Sequence, residues 1–509
     1  MRLTTKFVKQ VSAKEDNYKI SPKAVQTVDK SHEFLKQFSK DKVIYGINTG
    51  FGPMVEYRID KKKLEALQYN LIRSHSSGTG EVLTEEECRS VLVCRLHSLA
   101  LGYSGISSNV IMKMQELLDK EVYPEVFAHG GVGASGDLVQ LAHVGLGLIG
   151  EGYSYYDGKR GKTVDIYKKL DIDPLKLQLR DALAIMNGTS AMSGQACLNI
   201  ERAELLIEWG IFCSALLLEL AESFDDSFSK ELNQAKQHSG QQEVASNLRN
   251  LLTGSRLVRS RIDSDYQTPR VGSGKVFSGK VQENYSVRCV PQIIGPILDS
   301  IKFSKKVVED EINSANDNPI VDVESEQVYH GGNFHGDCIS LEMDKVRIVM
   351  TKLSMLHERQ LNYLLNSNVN KKFPAFLNDQ IPGLNFGLQG AQFTATSTTA
   401  ENQTLSSSMY VHSISCNNDN QDIVSMGMNS ARLTSRVLDN AFQVQSIALM
   451  GLMQAVMVSG AEDDIAPAIK STYDELQKNF KKVEEDRPLF EDIENINTFI
   501  RNNRPKKQR

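Results

Sequence analysis

Leu205, Leu206, Trp209, Phe212, Cys213, Leu216, Leu217 and Leu220 fall at steps of three and four, which lays a broad apolar face along one long helix. Similar patterns recur around residues 84–102, 295–312, 340–364 and 433–459. Helices of that length must bury their faces against one another, and alternating β-branched runs are few, so a mainly α fold is expected. For 509 residues, a prior of ~150 per domain suggests about three domains, a prior that long helical folds readily exceed. Apolar residues make up 40% of the chain and charged residues 24%, enough for a sizeable core and against global disorder.

The net charge of -5 leaves no basic footprint for nucleic acid or an anionic membrane, so the expected partner is a small molecule. Seven scattered cysteines include no C-x-x-C pair and no zinc spacing, which fits a reduced, cytoplasmic home. The opening MRLTTKFVKQVSAKEDNYKI has no apolar core of a secretory signal. The charge-free run Ala441 to Gly460 is interrupted by Gln443, Gln445, Ser446 and Gln454, and reads as a buried helix rather than a membrane span. The polar stretch from Asp225 to Asn284 is expected to form surface helix and mobile loop, a candidate lid. The terminal RNNRPKKQR is expected to be a frayed, solvated end.

Three short segments break the helical period: YGINTGFGP at 45–53, HGGVGASGD at 129–137 and HGGNFHGD at 330–337. Glycine permits positive φ and close backbone approach, so chemistry is expected at these loops. Gly131 to Gly136 satisfies G-x-G-x-x-G, but a dinucleotide site needs a buried apolar strand before the first glycine and repeated βαβ units. The preceding YPEVFAHG does not read as such a strand, and no such units are visible. A serine nucleophile elbow fails because Gly136-Asp137 follows Ser135. The remaining reading concerns the backbone: a tight turn that presses the Gly136 nitrogen onto the Ala134 carbonyl carbon would, with loss of two waters, give an electrophilic methylidene-imidazolone. Only small residues permit that approach. His330, His335 and Asp337 lack the spacing and fourth partner of a metal site, so no metal is expected; His129 and His143 are expected to pack or hydrogen-bond beside the loop.

Gly130-Gly131-Val132-Gly133-Ala134-Ser135-Gly136-Asp137-Leu138 and Tyr45-Gly46-Ile47-Asn48-Thr49-Gly50-Phe51-Gly52 resemble signatures of the histidine/phenylalanine/tyrosine ammonia-lyase family. Asn187-Gly188-Thr189, Tyr285-Ser286-Val287-Arg288-Cys289, Asn316-Asp317-Asn318-Pro319, Gly332-Asn333-Phe334-His335 and Asn420-Gln421-Asp422 follow in the family's order, so the resemblance spans roughly residues 40–460. It implies a 4-methylidene-imidazol-5-one (MIO) group formed autocatalytically from Ala134, Ser135 and Gly136, with no external cofactor. It implies Tyr45 as the base that takes the β-proton, stabilised as phenolate by nearby donors or positive charge. Arg288 resembles the residue that captures the substrate carboxylate, for which a planar guanidinium is suited. Asn187, Gln282 and Tyr285 match residues that hold the group and line the site, Phe334 matches the pocket wall, and Asn318 is a further carboxylate contact. Read alone, Tyr45 is a packed loop tyrosine, Asn187 a helix cap, Phe334 a core aromatic and Asn318 a turn residue.

Two positions bear on the substrate. Ser74-His75 reads as in the histidine enzymes, whereas many tyrosine enzymes carry His-Leu and phenylalanine enzymes Phe-Leu. Gln421 stands where the histidine enzymes have a glutamate that could partner an imidazole. The strings YNLIRSHSSGTG, SANDNPI, VYHGGNFHGD and NDNQDIVSMG look most like bacterial tyrosine ammonia-lyases of the flexirubin/aryl-polyene type, in which Ser-His also occurs. His75 would then bond a phenolic hydroxyl, and the expected reaction is L-tyrosine to trans-4-coumarate. Histidine to urocanate is the alternative, followed by phenylalanine elimination or a tyrosine 2,3-aminomutase. The resemblance further implies a fumarase/aspartase-like fold: an N-terminal domain with the MIO loop, residues 1–195, and a long-helix bundle, residues 196–509. It implies a homotetramer whose sites combine loops of three subunits. A silent helical binding protein or a dehydrogenase is the contrasting class, separable by intact mass.

Overall fold

The computed structural model describes residues 1–40, 42–47, 49–264 and 281–506, and it is mainly helical. Residues 265–280, within the polar stretch read as a candidate lid, lie outside the described residues. The chain divides into two compact units. One gathers residues 1–201, 304–345 and 408–435; the other gathers 202–303, 346–407 and 436–509.

In the first unit the helix Glu85–Ala100 begins with a reciprocal cap. The Thr84 hydroxyl accepts the Glu87 amide at 3.2 Å, and the Glu87 carboxylate accepts the Thr84 amide at 2.8 Å. Every residue from Cys88 to Ala100 is buried, so this helix is enclosed on all sides and holds two arginines, Arg89 and Arg95, inside the fold. Three further helices, Leu64–His75, Leu138–Leu148 and Asp181–Met186, pack against one another. Each delivers a candidate residue at its end: His75 at the C-terminus of the first, the Ala-Ser-Gly loop just before the second, and Asn187 just after the third.

The strands among the described residues are short and antiparallel. Thr79–Val82 pairs with Phe127–His129, and Tyr123–Pro124 lies beside Tyr153–Tyr156, which pairs with Lys159–Lys162. Ile320–Asp322 pairs with Gln327–Tyr329. YPEVFAHG therefore does contain strand, contrary to the sequence reading, because its backbone finds partners in segments 79–82 and 153–156. Antiparallel pairing without a crossover helix still removes the dinucleotide reading, which needs a parallel βαβ unit.

The second unit is built around helices whose period was visible in the sequence. From Trp209 to Leu220 the helix Ser190–Leu220 is buried on every side, not along one face only. Each such Leu or Phe contributes about 1.5–3 kcal/mol of burial. The Trp209 ring packs edge-on against Phe212 at 5.5 Å, and its Nε1 donates to the carbonyls of Ile500 and Asn503 at 3.0 and 2.8 Å. The basic tail is correspondingly not frayed as far as residue 506: Arg504 pairs with Glu208 at 2.6 Å, and Lys506 with Glu475 at 2.6 Å. Satisfying the buried indole N–H ties the chain end down. The helix Gly427–Ser459, long and apolar enough to cross a membrane, is 83% buried over its most apolar stretch.

Candidate active site

The loop before the helix Leu138–Leu148 is held from both sides. The Val132 carbonyl accepts the Met426 amide at 2.9 Å, and the Gly133 carbonyl accepts the Gly336 amide and the Ser425 hydroxyl, each at 3.0 Å. On its other flank lies the Asn187-Gly188 turn. Asn187 Nδ2 donates to the Ser135 carbonyl at 3.1 Å, and the Asp137 amide donates to the Gly188 carbonyl at 2.7 Å. Gly136 has φ +70°, and a Cβ there would sit 2.0 Å from the Gly188 oxygen and 2.3 Å from its carbon. Only glycine fits. This cradle, which no side chain could share, suits a peptide bent tightly enough for ring closure.

A cavity of about 840 Å³ opens beside the loop. Tyr45, Ser74, His75, Ser135, Asn187 and Gln421 all line it, although they come from five separate stretches of chain. The Tyr45 ring meets Phe51 edge-on at 6.2 Å, and its hydroxyl oxygen accepts the Gly52 amide at 3.2 Å. His75 Nδ1 lies 2.9 Å from the Leu71 carbonyl, which can only accept, and 3.0 Å from the Ser74 hydroxyl; the tautomer with its proton on Nδ1 satisfies that carbonyl and leaves Nε2 as an acceptor. Gln421 Nε2 donates to the Ser135 hydroxyl at 3.1 Å, while its Oε1 accepts the Cys416 thiol at 3.6 Å.

Beneath the loop lies a layer of buried charge. Asp137 is fully enclosed; its Oδ2 accepts the Met192 amide at 2.8 Å, and burial pushes its carboxyl up to about 7. The Arg95 guanidinium is equally enclosed, and burial lowers it to about 10, so it stays cationic at neutral pH. His143 behaves as expected of a neighbour: its Nε2 accepts the Gly78 amide at 3.0 Å, and burial lowers its proton affinity.

Other candidates lie outside the cavity wall. Asn318 is one hydrogen bond removed from the wall: its amide donates to Asn187 Oδ1 at 2.9 Å, and its own Oδ1 accepts the Gly331 amide at 2.9 Å. Phe334 is half-buried in the neighbouring turn and does not line the cavity. Gln282, Tyr285 and Arg288 belong to the other unit. There the Arg288 guanidinium lies 4.7 Å from the Tyr285 ring, and Tyr285 is 69% exposed. That unit also has a cavity of about 590 Å³, but charges on its wall are already paired, Glu243 with Lys302 and Glu208 with Arg504.

Sequence reasoning missed several participants. Phe51 and the Gly52 amide were inside a quoted motif, and the glycines flanking Phe51 were the available signal. Asn417, Asn418 and Asn420 also line the cavity, and Asn417, Asn418 and Asp419 run consecutively at φ 57°, 53° and 57°. Asn and Asp tolerate that left-handed region best, so an N-N-D run was a usable hint.

The model of the aromatic amino acid lyase family matches residues 3–478. The chain belongs to that family. A tyrosine ammonia-lyase of Cupriavidus metallidurans is 38% identical over 467 residues, covering 90% of this chain and 87% of that protein. A histidine ammonia-lyase of Myxococcus xanthus is 36% identical over 498 residues, covering 96% and 94%. The solved tyrosine aminomutase of Streptomyces globisporus superposes with a TM-score of 0.94 at 34% identity, covering 98% of this chain and 95% of that one. Relatives named as ammonia-lyases and one named as an aminomutase are thus similar to this chain to a comparable degree.

Proposed function

We propose that this family member forms MIO from Ala134, Ser135 and Gly136 and eliminates ammonia from L-tyrosine to give trans-4-coumarate. The observation that carries the reading is that Ser135, Tyr45 and His75 open on one cavity. MIO supplies an electrophilic alkene that turns the substrate amine into a leaving group. The chain's residues do the rest. Gly136 leaves room for the closed ring, and Asn187 holds the Ser135 carbonyl. Tyr45 takes the β-proton, with the Gly52 amide aimed at the oxygen on which negative charge would develop.

His75 gives the preference for tyrosine. With Nδ1 bound to Leu71, Nε2 accepts the phenolic O–H, and phenylalanine would leave that acceptor unpaired. Gln421 offers no charge to an imidazole. Gln282, Tyr285 and Arg288 reach the site from neighbouring subunits of a homotetramer, Arg288 taking the carboxylate. Asn318 and Phe334 support the wall through Asn187 and the 330–337 turn.

The test is product detection by ultraviolet absorbance from purified protein given L-tyrosine, L-histidine or L-phenylalanine, with no added cofactor. Coumarate should form fastest, the intact mass should be two waters short, and Ser135→Ala should fold yet be inactive. Full turnover by Ser135→Ala would refute the prosthetic-group reading, and urocanate forming fastest would refute tyrosine. The likeness to a tyrosine aminomutase favours one second reading, in which the same cavity retains ammonia and returns it at the β-carbon; β-tyrosine among the products would establish it.

A further inference from the structure

Arg95 touches neither the cavity nor the loop, yet it backs the surface against which the loop is pressed. Its Nη1 donates to Asn316 Oδ1 at 2.9 Å, and its Nη2 donates to the carbonyls of Ala184 and, at 2.7 Å, Asn187. Both carbonyls end the helix Asp181–Met186, where they lack intrahelical partners and favour a cation. A Cβ on Gly188 would lie 2.1 Å from Arg95 Nη1 and 2.6 Å from Asn316 Oδ1. The order in space is therefore guanidinium, Gly188, Gly136, with no room for a methyl group at either contact. The same Asn187-Gly188 turn grips the Ser135 carbonyl and the Asp137 amide. Three consecutive loop residues thus lean on one turn, and Arg95 fixes that turn.

We propose that Arg95 is a positioning residue for ring closure, acting through the Asn187-Gly188 turn to keep the Gly136 nitrogen against the Ala134 carbonyl carbon. The inference rests on the MIO reading above. In that closure the Gly136 nitrogen bonds to the Ala134 carbon, and the Ala134 oxygen leaves as water with the Gly136 and Ser135 amide protons. The Ser135 hydroxyl then leaves as the second water with the Ser135 Cα proton. No oxidant or metal enters the balance. What the reaction needs from the protein is a backbone that cannot relax outward, and a buried, multiply bonded guanidinium supplies a stiff backing.

The experiment follows the intact mass of full-length wild type, Arg95→Lys and Asn316→Ala through expression and after purification, with circular dichroism to establish folding. Lysine keeps the charge but not the fork that spans three acceptors. Folded Arg95→Lys should lose its two waters about tenfold more slowly, the effect of one charge-assisted hydrogen bond, with turnover per dehydrated site unchanged. Asn316→Ala, which removes one acceptor and spares the arginine, should slow it less and decides the matter if the lysine variant does not fold. Folded variants that dehydrate at the wild-type rate overturn the proposal, as does a lowered melting temperature with every folded chain dehydrated. Wild type that keeps its full mass is a different result: it removes the MIO reading itself.

Discussion

Replacing Gly136 with alanine adds one methyl group whose destination the structure defines. The new carbon would stand 2.0 Å from the Gly188 oxygen, where Cβ contacts closer than 3.0 Å are essentially never seen. The two backbones must therefore part by about 1 Å, a shift of the kind that overpacked cores resist at about 1–3 kcal/mol. Parting strains the 2.7 Å bond from the Asp137 amide to the Gly188 carbonyl. Holding alanine at φ +70° adds about 1 kcal/mol more, so the total is ~2–4 kcal/mol out of a typical 5–15. Gly158 separates the two contributions, because its φ is +69° and nothing lies within 4 Å of its missing Cβ. In urea unfolding Gly158→Ala should cost about 1 kcal/mol, and Gly136→Ala ~1–3 kcal/mol beyond that. The Gly136→Ala chain should also keep its full mass. Equal losses in the two variants, or a dehydrated Gly136→Ala, would show that close approach to Gly188 does not shape the loop.

His75→Leu should lower kcat/KM for tyrosine relative to phenylalanine by about 10- to 100-fold, measured as the ratio of initial rates on the two substrates; an unchanged ratio would mean that His75 does not read the phenol. Gln421→Glu should weaken tyrosine use and improve histidine use, and an unaltered preference would remove Gln421 from specificity. Burial pushes the Asp137 carboxyl up to about 7, so the folded chain retains a proton that the unfolded chain releases near pH ~3.9. Stability from this group is full below about pH 4 and is lost as pH rises towards 7, with a slope of at most ~1.4 kcal/mol per pH unit. Asp137→Asn should flatten that part of the pH-stability curve, and parallel curves for variant and wild type would count against it.

The long helices were legible in the sequence because an apolar period of 3.6 residues, sustained over 16 to 27 positions, arises from little besides a helix with a buried face. The close backbone approach at the Ala134-Ser135-Gly136 loop was legible too, since its glycines marked it and Gly136 does press on the Gly188 backbone. Adjacency between distant segments was not. Nothing in R-L-H-S places Arg95 behind Gly188, and the bond between Gln421 and Ser135 joins residues 286 positions apart. The single boundary drawn at residue 195 follows chain order, whereas packing gathers 304–345 and 408–435 with the N-terminal stretch. Buried polar contacts of this sort leave no periodic trace. The tail departs from expectation for a related reason: composition marks RNNRPKKQR as solvated, while the buried Trp209 indole bonds the Asn503 carbonyl within it as well as the Ile500 carbonyl just before it.

The clamps on Val132 and Gly133 come from Gly336, Ser425 and Met426. During synthesis the loop is made some 200 to 290 residues before those partners, a gap read directly from their numbers. A nascent chain therefore carries Ala-Ser-Gly without its full set of clamps for most of its translation. In the proposed MIO chemistry the electrophile would be a product of maturation, formed only once residue 426 has been placed, and a ribosome that stalls earlier would release a fragment lacking two of the three clamps.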